Sequence, residues 1–134
     1  MDDDGSPAHV PNEIEAPAPI DKPTALARLG DDEALFREFA RSVVDEAPGL
    51  LAEIRAALDG GRIDDAHRAA HGLKGMLATL EARPAAAAAR EIEQLTQDRK
   101  AGEAAAATDR LAVELDRLAR AVATMPASGD EYPA

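Results

Sequence analysis

The chain contains no cysteine and very few aromatic residues: phenylalanine, tryptophan and tyrosine together make up 2% of its 134 residues. The lack of cysteine excludes disulfide bonds and thiolate metal ligands. Hydrophobic residues nevertheless reach 46%, and much of this fraction is alanine, the strongest helix former. Because the aromatic and β-branched residues that favour sheets are scarce, we predict an all-α fold.

Basic charge and long apolar runs are also scarce. The 15 lysine and arginine residues are outnumbered by 26 aspartate and glutamate residues, which leaves a net charge of −11. Nucleic acid and anionic membrane surfaces repel such a chain. No apolar run reaches the ~20 residues of a membrane-spanning helix, and the three aspartates at residues 2–4 are unlike a signal peptide. We therefore expect a cytoplasmic monomer with neither nucleic acid nor membrane as a partner.

Proline and glycine divide the chain into three parts. Residues 1–19 combine acidic residues with four prolines and show no apolar period, which predicts a disordered lead-in or linker. Residues 126–134 contain two prolines and one glycine, which predicts a disordered tail. Residues 20–125 have the length of one small domain, and we predict that they fold.

Apolar residues recur at helical spacing through the first half of this domain. A short helix is predicted at residues 24–29, and Asp31 is placed to cap the helix that follows. Pro48 suits the first turn of a new helix, but it also fits a bend within one long helix. Both readings stay open at this point.

The second half of the domain contains three more predicted helices. They lie at residues 62–82, from Pro84 onward and after Gly102. Short connections make successive helices antiparallel. We therefore predict an antiparallel four-helix bundle with one or two short additional helices at its N-terminal end.

The helix predicted at residues 62–82 has a clear apolar face. Its apolar residues repeat at steps of three and four, as the buried side of a helix requires: Ile63, Ala66, Ala70, Leu73, Leu77 and Leu80. His71 falls on the opposite side, together with Gly75, and Gly72 follows it directly. Each exposed glycine within a helix costs about 1 kcal/mol relative to alanine. We infer that the missing side chains let another protein approach the imidazole of His71.

Residues 70–75, Ala-His-Gly-Leu-Lys-Gly, resemble the His-x-Leu-Lys-Gly phosphorylation motif of histidine-containing phosphotransfer domains. The resemblance extends over residues 20–125. It implies that His71 accepts a phosphoryl group on Nε2 from the aspartyl phosphate of one receiver domain and passes it to another. Lys74 would orient the phosphoryl group, and Gly75 would give it access.

The same resemblance implies the partners, which are the receiver domain of a response regulator and a hybrid histidine kinase. Mg²⁺ is expected on the receiver domain, and this chain is expected to bind no metal or other cofactor. It has no glycine-rich phosphate loop, so we expect a carrier without autokinase activity. The predicted docking residues lie around His71 on its helix: Arg68, Lys74, Gly75 and Ala78.

A nucleophilic imidazole that attacks through Nε2 needs an acceptor for its Nδ1 proton. Counting equal distances from the turn after the motif brings Glu93, Gln94 and Gln97 level with His71. The family often places a polar residue at the position of Glu93. We therefore predict that Glu93 orients the ring.

Two other classes of protein fit parts of the sequence. A non-catalytic adaptor or dimerisation bundle with a relic motif would carry no phosphate on His71. A carboxylate-bridged metal bundle needs Glu-x-x-His motifs on two helices, and the sequence has none. His67 and His71 are spaced to share a surface metal ion, but the sequence offers no third ligand.

Overall fold

The computed structural model describes residues 17–125, and these residues form five helices and no strand. In chain order the helices are α1 (Lys22–Arg28), α2 (Glu33–Asp59), α3 (Ile63–Thr79), α4 (Arg83–Gln97) and α5 (Ala101–Ala123). None of them is long and apolar enough to cross a membrane. The predicted all-α fold is confirmed.

The four long helices, α2 to α5, form an antiparallel bundle. Only three residues separate each long helix from the next, so the chain has to reverse direction at every turn. Each long helix packs against two others: α2 lies against α3 and α5, and α4 lies against α3 and α5. Consequently α3 and α5 are diagonal to each other. The short helix α1 packs against α2, and it is the one additional N-terminal helix among the described residues.

The start of α2 differs from the prediction. Asp32 caps the helix, because its Oδ1 atom accepts a hydrogen bond of 3.0 Å from the amide of Leu35. Asp31 does not cap it: its φ is +62°, and its amide donates to the carbonyl of Leu26 at 2.7 Å. Asp31 therefore belongs to the turn after α1, and the N-cap of α2 lies one residue later than predicted.

The structure answers the open question about Pro48 and corrects the predicted start of the last helix. Pro48 lies within α2, which continues without a break, so this part of the chain is one helix. Pro48 is exposed to solvent. Gly102 was expected to precede the last helix, but it lies in the first turn of α5.

The helix that carries His71 ends at Thr79, whereas the sequence predicted an end at residue 82. The reason is Glu81, whose φ of +62° is left-handed and cannot continue a right-handed helix. The carboxylate of Glu81 is nearly buried and accepts hydrogen bonds from Arg28 at 2.6 Å and from Arg83 at 3.0 Å. These bonds hold a strained turn in place and tie α1 to it.

The proposed disordered ends lie mostly outside the described residues, which exclude 1–16 and 126–134. Residues 17–19 are described and are not helical. The Nη2 group of Arg117 on α5 donates a hydrogen bond of 2.6 Å to the carbonyl of Pro17. The end of the predicted lead-in therefore lies against the bundle.

The core of the bundle is built from alanine and leucine. Leu77 is 0% exposed and lies within the main cluster of buried residues, whereas Val113 on α5 is 59% exposed. Removing buried methyl groups costs both transfer free energy and a cavity. We expect Leu77→Ala to lower the free energy of unfolding by about 2–5 kcal/mol in denaturant titrations.

Val113→Ala is the matched control, and it should change the free energy of unfolding by less than about 0.5 kcal/mol. Similar losses in the two variants would contradict this assignment of the core.

Candidate functional site

His71 lies on the outer face of α3. Its neighbours Ala70 and Leu73 are 0% exposed because they belong to the apolar face of the helix, which packs into the bundle. The side chain of His71, on the other side, is 66% exposed. The sequence prediction of an outward-facing imidazole agrees with this geometry.

One carboxylate on α4 contacts both polar side chains of the motif. Glu93 Oε2 lies 2.5 Å from His71 Nδ1, and Glu93 Oε1 lies 2.7 Å from Lys74 Nζ. The side chain of Glu93 is only 15% exposed, so it sits in the groove between α3 and α4. Among the three predicted candidates, Glu93 is the one in contact with the ring, since Gln94 donates to Asp98 instead.

The contact with Glu93 assigns the proton on the ring of His71. An ionised carboxylate can only accept a hydrogen bond, so Nδ1 has to be the nitrogen that carries the proton. In the neutral imidazole, Nε2 then holds the lone pair. No described residue bonds to Nε2. The arrangement presents a nucleophilic nitrogen to solvent.

The two contacts also change the acidity of Glu93. Burial raises the pKa of its carboxyl group, but the hydrogen bonds and charges of Lys74 and His71 outweigh burial, and the pKa is lowered overall. Glu93 is therefore ionised at neutral pH. Its charge is balanced by Lys74 even when the imidazole is neutral.

Lys74 was expected to reach toward a phosphoryl group on His71. In the structure its ammonium group is bound to Glu93, and its side chain is 27% exposed. The sequence analysis did not foresee this pairing. It keeps the ammonium beside the carboxylate that also holds the ring of His71.

Gly75 has no role in internal packing. A Cβ atom built on Gly75 meets no heavy atom within 4 Å, apart from the backbone of its own helix, and the same holds for Gly72. An alanine would fit both positions and would favour the helix. Packing within the fold therefore does not explain either glycine.

Two residues next to the site have contacts that the sequence did not predict: His67 was weighed only as a metal ligand, and Thr96 was not singled out. His67, one turn before His71, places its Nδ1 atom 3.1 Å from the backbone carbonyl of Glu93 and 3.1 Å from Thr96 Oγ1. Thr96 is buried among apolar residues. A signal was available, because His67 precedes His71 by four residues and so lies on the same side of the helix.

The histidines do not converge with other ligands. Within residues 17–125 no group of three or more histidine, aspartate or glutamate side chains is arranged to hold a metal ion. Nδ1 of each histidine is already engaged by Glu93, in one case by its side chain and in the other by its backbone.

Comparison with known families decides the class of protein. The model of the Hpt domain matches residues 38–124, which is more than half of the chain and includes His71, Lys74 and Glu93. The chain belongs to the Hpt domain family. Comparisons with curated proteins and with solved structures find no significant match.

Membership of this family sets the general function. Hpt domains are helical phosphocarriers of two-component signalling, and they interact with receiver domains and kinases. The general prediction of a phosphotransfer protein is confirmed. The structure of this Hpt domain adds the arrangement of side chains around His71.

The predicted docking residues of the Hpt domain share one surface. Arg68, Gly75 and Ala78 are exposed, and Lys74 is half-buried beside them. Arg68 is paired with Asp65 in a surface ion pair, which is worth at most about 1 kcal/mol. A partner's carboxylate can therefore replace Asp65 at small cost.

A shallow groove adjoins this surface at Ala78. Its volume is about 410 Å³, and three arginines line it: Arg28, Arg83 and Arg90. Arg28 and Arg83 are bound to Glu81, whereas no described carboxylate pairs with Arg90. This acidic chain thus carries basic groups on the side where His71 lies.

The lowered pKa of Glu93 predicts a pH-dependent contribution to stability. A carboxyl group with a lowered pKa in the folded state stabilises the protein above its unfolded-state pKa, and this stabilisation is lost as pH falls through the folded-state pKa. We expect Glu93→Gln to lower the free energy of unfolding at pH 7 by about 1–3 kcal/mol. The difference from the wild type should shrink as pH falls below the ordinary glutamate range.

Denaturant titrations at a series of pH values measure this difference. Glu91→Gln is the matched control on the same helix, because Glu91 is 46% exposed and forms only a surface ion pair with Arg110. A Glu93→Gln difference that stays constant from neutral to acidic pH would show that the charge of Glu93 does not stabilise the fold.

Proposed function

We propose that this Hpt domain is a phosphorelay intermediate. His71 accepts a phosphoryl group from the aspartyl phosphate of one receiver domain and passes it to a second receiver domain. The observation that carries this proposal is the hydrogen bond of 2.5 Å between His71 Nδ1 and Glu93, on a ring whose other nitrogen is free to attack.

The transfer step needs no reactant other than His71 and the aspartyl phosphate of the receiver domain. The lone pair on Nε2 attacks phosphorus, the Nε2–P bond forms, and the P–O bond to the aspartate of the receiver domain breaks. The aspartate leaves as a carboxylate. The imidazole keeps its Nδ1 proton and gains positive charge, which the ionised carboxylate of Glu93 stabilises. Attack by an aspartate of the second receiver domain on phosphorus reverses these changes.

Lys74 is suited to two tasks in this scheme. Before transfer its ammonium group neutralises Glu93, at 2.7 Å. When the ring becomes positively charged, the ring can take over part of this neutralisation. We propose that Lys74 then turns toward an oxygen of the phosphoryl group, which its position three residues after His71 allows.

The remaining components belong to the partners. Phosphoryl transfer needs charge neutralisation at the equatorial oxygens, and we assign the Mg²⁺ that provides it to the receiver domain. We propose that this chain binds no cofactor and has no autokinase activity. It would act in the cytoplasm, where it would connect a hybrid histidine kinase to a response regulator through the surface formed by Arg68, Lys74, Gly75 and Ala78.

Substitution of His71 tests the proposal directly. We expect His71→Gln to abolish labelling by a phosphorylated receiver domain in the presence of Mg²⁺. Helicity should be unchanged, because the side chain is 66% exposed. The free energy of unfolding should fall by about 0.5–1.5 kcal/mol, because the hydrogen bond to Glu93 is lost. The measurements are transfer of radiolabel and circular dichroism.

Two results would contradict the proposed function. Labelling of His71→Gln at the wild-type level would place the phosphoryl group on another residue. A wild-type protein that accepts no label from any receiver domain tested would favour the adaptor or dimerisation bundle.

Gly75 tests the docking surface. We expect Gly75→Gln to slow transfer about tenfold or more, because the new side chain stands where the partner approaches. The same change should raise the free energy of unfolding by about 0.5–1 kcal/mol, since it removes the helix penalty of glycine. Transfer rates at limiting receiver concentration and denaturant titrations measure the two effects.

Gly102→Gln is the matched control. Gly102 is also exposed and open to a side chain, but it lies on α5, diagonal to α3. Transfer by Gly102→Gln should match the wild type. An unchanged rate for Gly75→Gln as well would remove the explanation for this glycine.

A further inference from the structure

His67, the other histidine of α3, contacts Glu93, which binds the ring of His71. Its Nδ1 atom lies 3.1 Å from the backbone carbonyl oxygen of Glu93, while Nδ1 of His71 lies 2.5 Å from the carboxylate of the same residue. Two histidines one turn apart on α3 therefore bind one residue of α4. One binds its main chain, and the other binds its side chain.

The hydrogen-bond partners of His67 determine which of its ring nitrogens carries the proton. The carbonyl of Glu93 can only accept a hydrogen bond. The hydroxyl of Thr96 donates its single proton to a carbonyl of its own helix, at 2.8 Å from Ile92 and 2.9 Å from Glu93, so toward His67 it also acts as an acceptor. Both acceptors require a proton on Nδ1 of His67. Thr96 is 1% exposed, so this proton also satisfies a buried oxygen.

The contact of His67 joins two helices at the level of the site. Glu93 lies inside α4, which ends at Gln97, so the helix itself does not depend on His67. The hydrogen bond instead fixes how α4 lies against α3 at Glu93. Small shifts matter here, because the contact between Glu93 and His71 is short and tolerates little displacement of the carboxylate.

We propose that His67 is a positioning residue for His71. Its Nδ1–H group holds the main chain of Glu93 against α3 and thereby sets the carboxylate that keeps the proton of His71 on Nδ1. The inference rests on the proposed function in one respect: the orientation of the ring matters for transfer only if His71 is the phosphoacceptor. The orientation itself is a property of the unphosphorylated protein.

Three substitutions of His67 separate its hydrogen bond from its packing. Asparagine places an amide N–H close to the position of Nδ1, so His67→Asn keeps the donor. Glutamine places its amide farther out, near the position of Nε2, so His67→Gln remains polar but loses the donor at the right place. His67→Leu removes the donor and keeps most of the bulk.

The decisive measurement is the tautomer of the His71 ring, read from ¹⁵N chemical shifts of the unphosphorylated protein. We expect the Nδ1–H form in the wild type and in His67→Asn, and a mixture with the Nε2–H form in His67→Leu and His67→Gln. Transfer from a phosphorylated receiver domain should slow about tenfold in the latter two and recover in His67→Asn.

Each outcome bears on the proposal. A wild-type tautomer and rate in His67→Leu would reduce His67 to a packing residue, as would an equal loss in His67→Asn and His67→Leu. Should His67→Leu fail to fold, the comparison of His67→Asn with His67→Gln decides the same question. If the wild type takes no label, the proposed function fails, but the tautomer measurement still tests the positioning role.

Discussion

The site depends on the carboxylate of Glu93, which lies between two helices and binds a side chain through each of its oxygens. It accepts from His71 at 2.5 Å and from Lys74 at 2.7 Å, and these contacts outweigh burial and lower its pKa. An ionised acceptor at this place requires the proton of the ring on Nδ1 and leaves Nε2 for chemistry. The ring of His71 on α3, which we propose as the nucleophile, is thus oriented by a residue of α4.

The two helices joined by Glu93 are rich in small residues. Both α3 and α4 contain several buried alanines: Ala66, Ala69 and Ala70 on α3, and Ala85, Ala86 and Ala89 on α4. Helices with small side chains at their interface approach closely. A close approach lets the short reach of one glutamate span the groove.

The charges near His71 bear on the proposed docking. The net charge of −11 favours separation from other acidic surfaces, yet Arg68 is exposed on the helix of His71 and Arg90 lines the adjoining groove. Arg68 is held by Asp65 in a weak surface pair, and Arg90 has no described acidic partner. Complementary charge of this kind increases the rate of association more than the affinity. Fast, weak association suits the relay that we propose, in which the carrier binds and releases two partners in turn.

The sequence by itself determined the fold class, the outward position of His71 and the motif around it, because helical periodicity alone decides which side of a helix is buried. Counting from the turn narrowed the partner of the ring to Glu93, Gln94 and Gln97, since it fixes the level of a residue on an antiparallel helix but not the rotation of that helix. The choice of Glu93 among them came from the resemblance to the family. The sequence alone misplaced the cap at Asp31 and the end of α3, because Asp31 and Glu81 adopt the left-handed conformation that usually marks glycine. Only the tertiary structure decided that His67, His71 and Lys74 all bind Glu93. These contacts depend on the rotation of α4 against α3, because Glu93 has to present both its carbonyl and its carboxylate to the same helix.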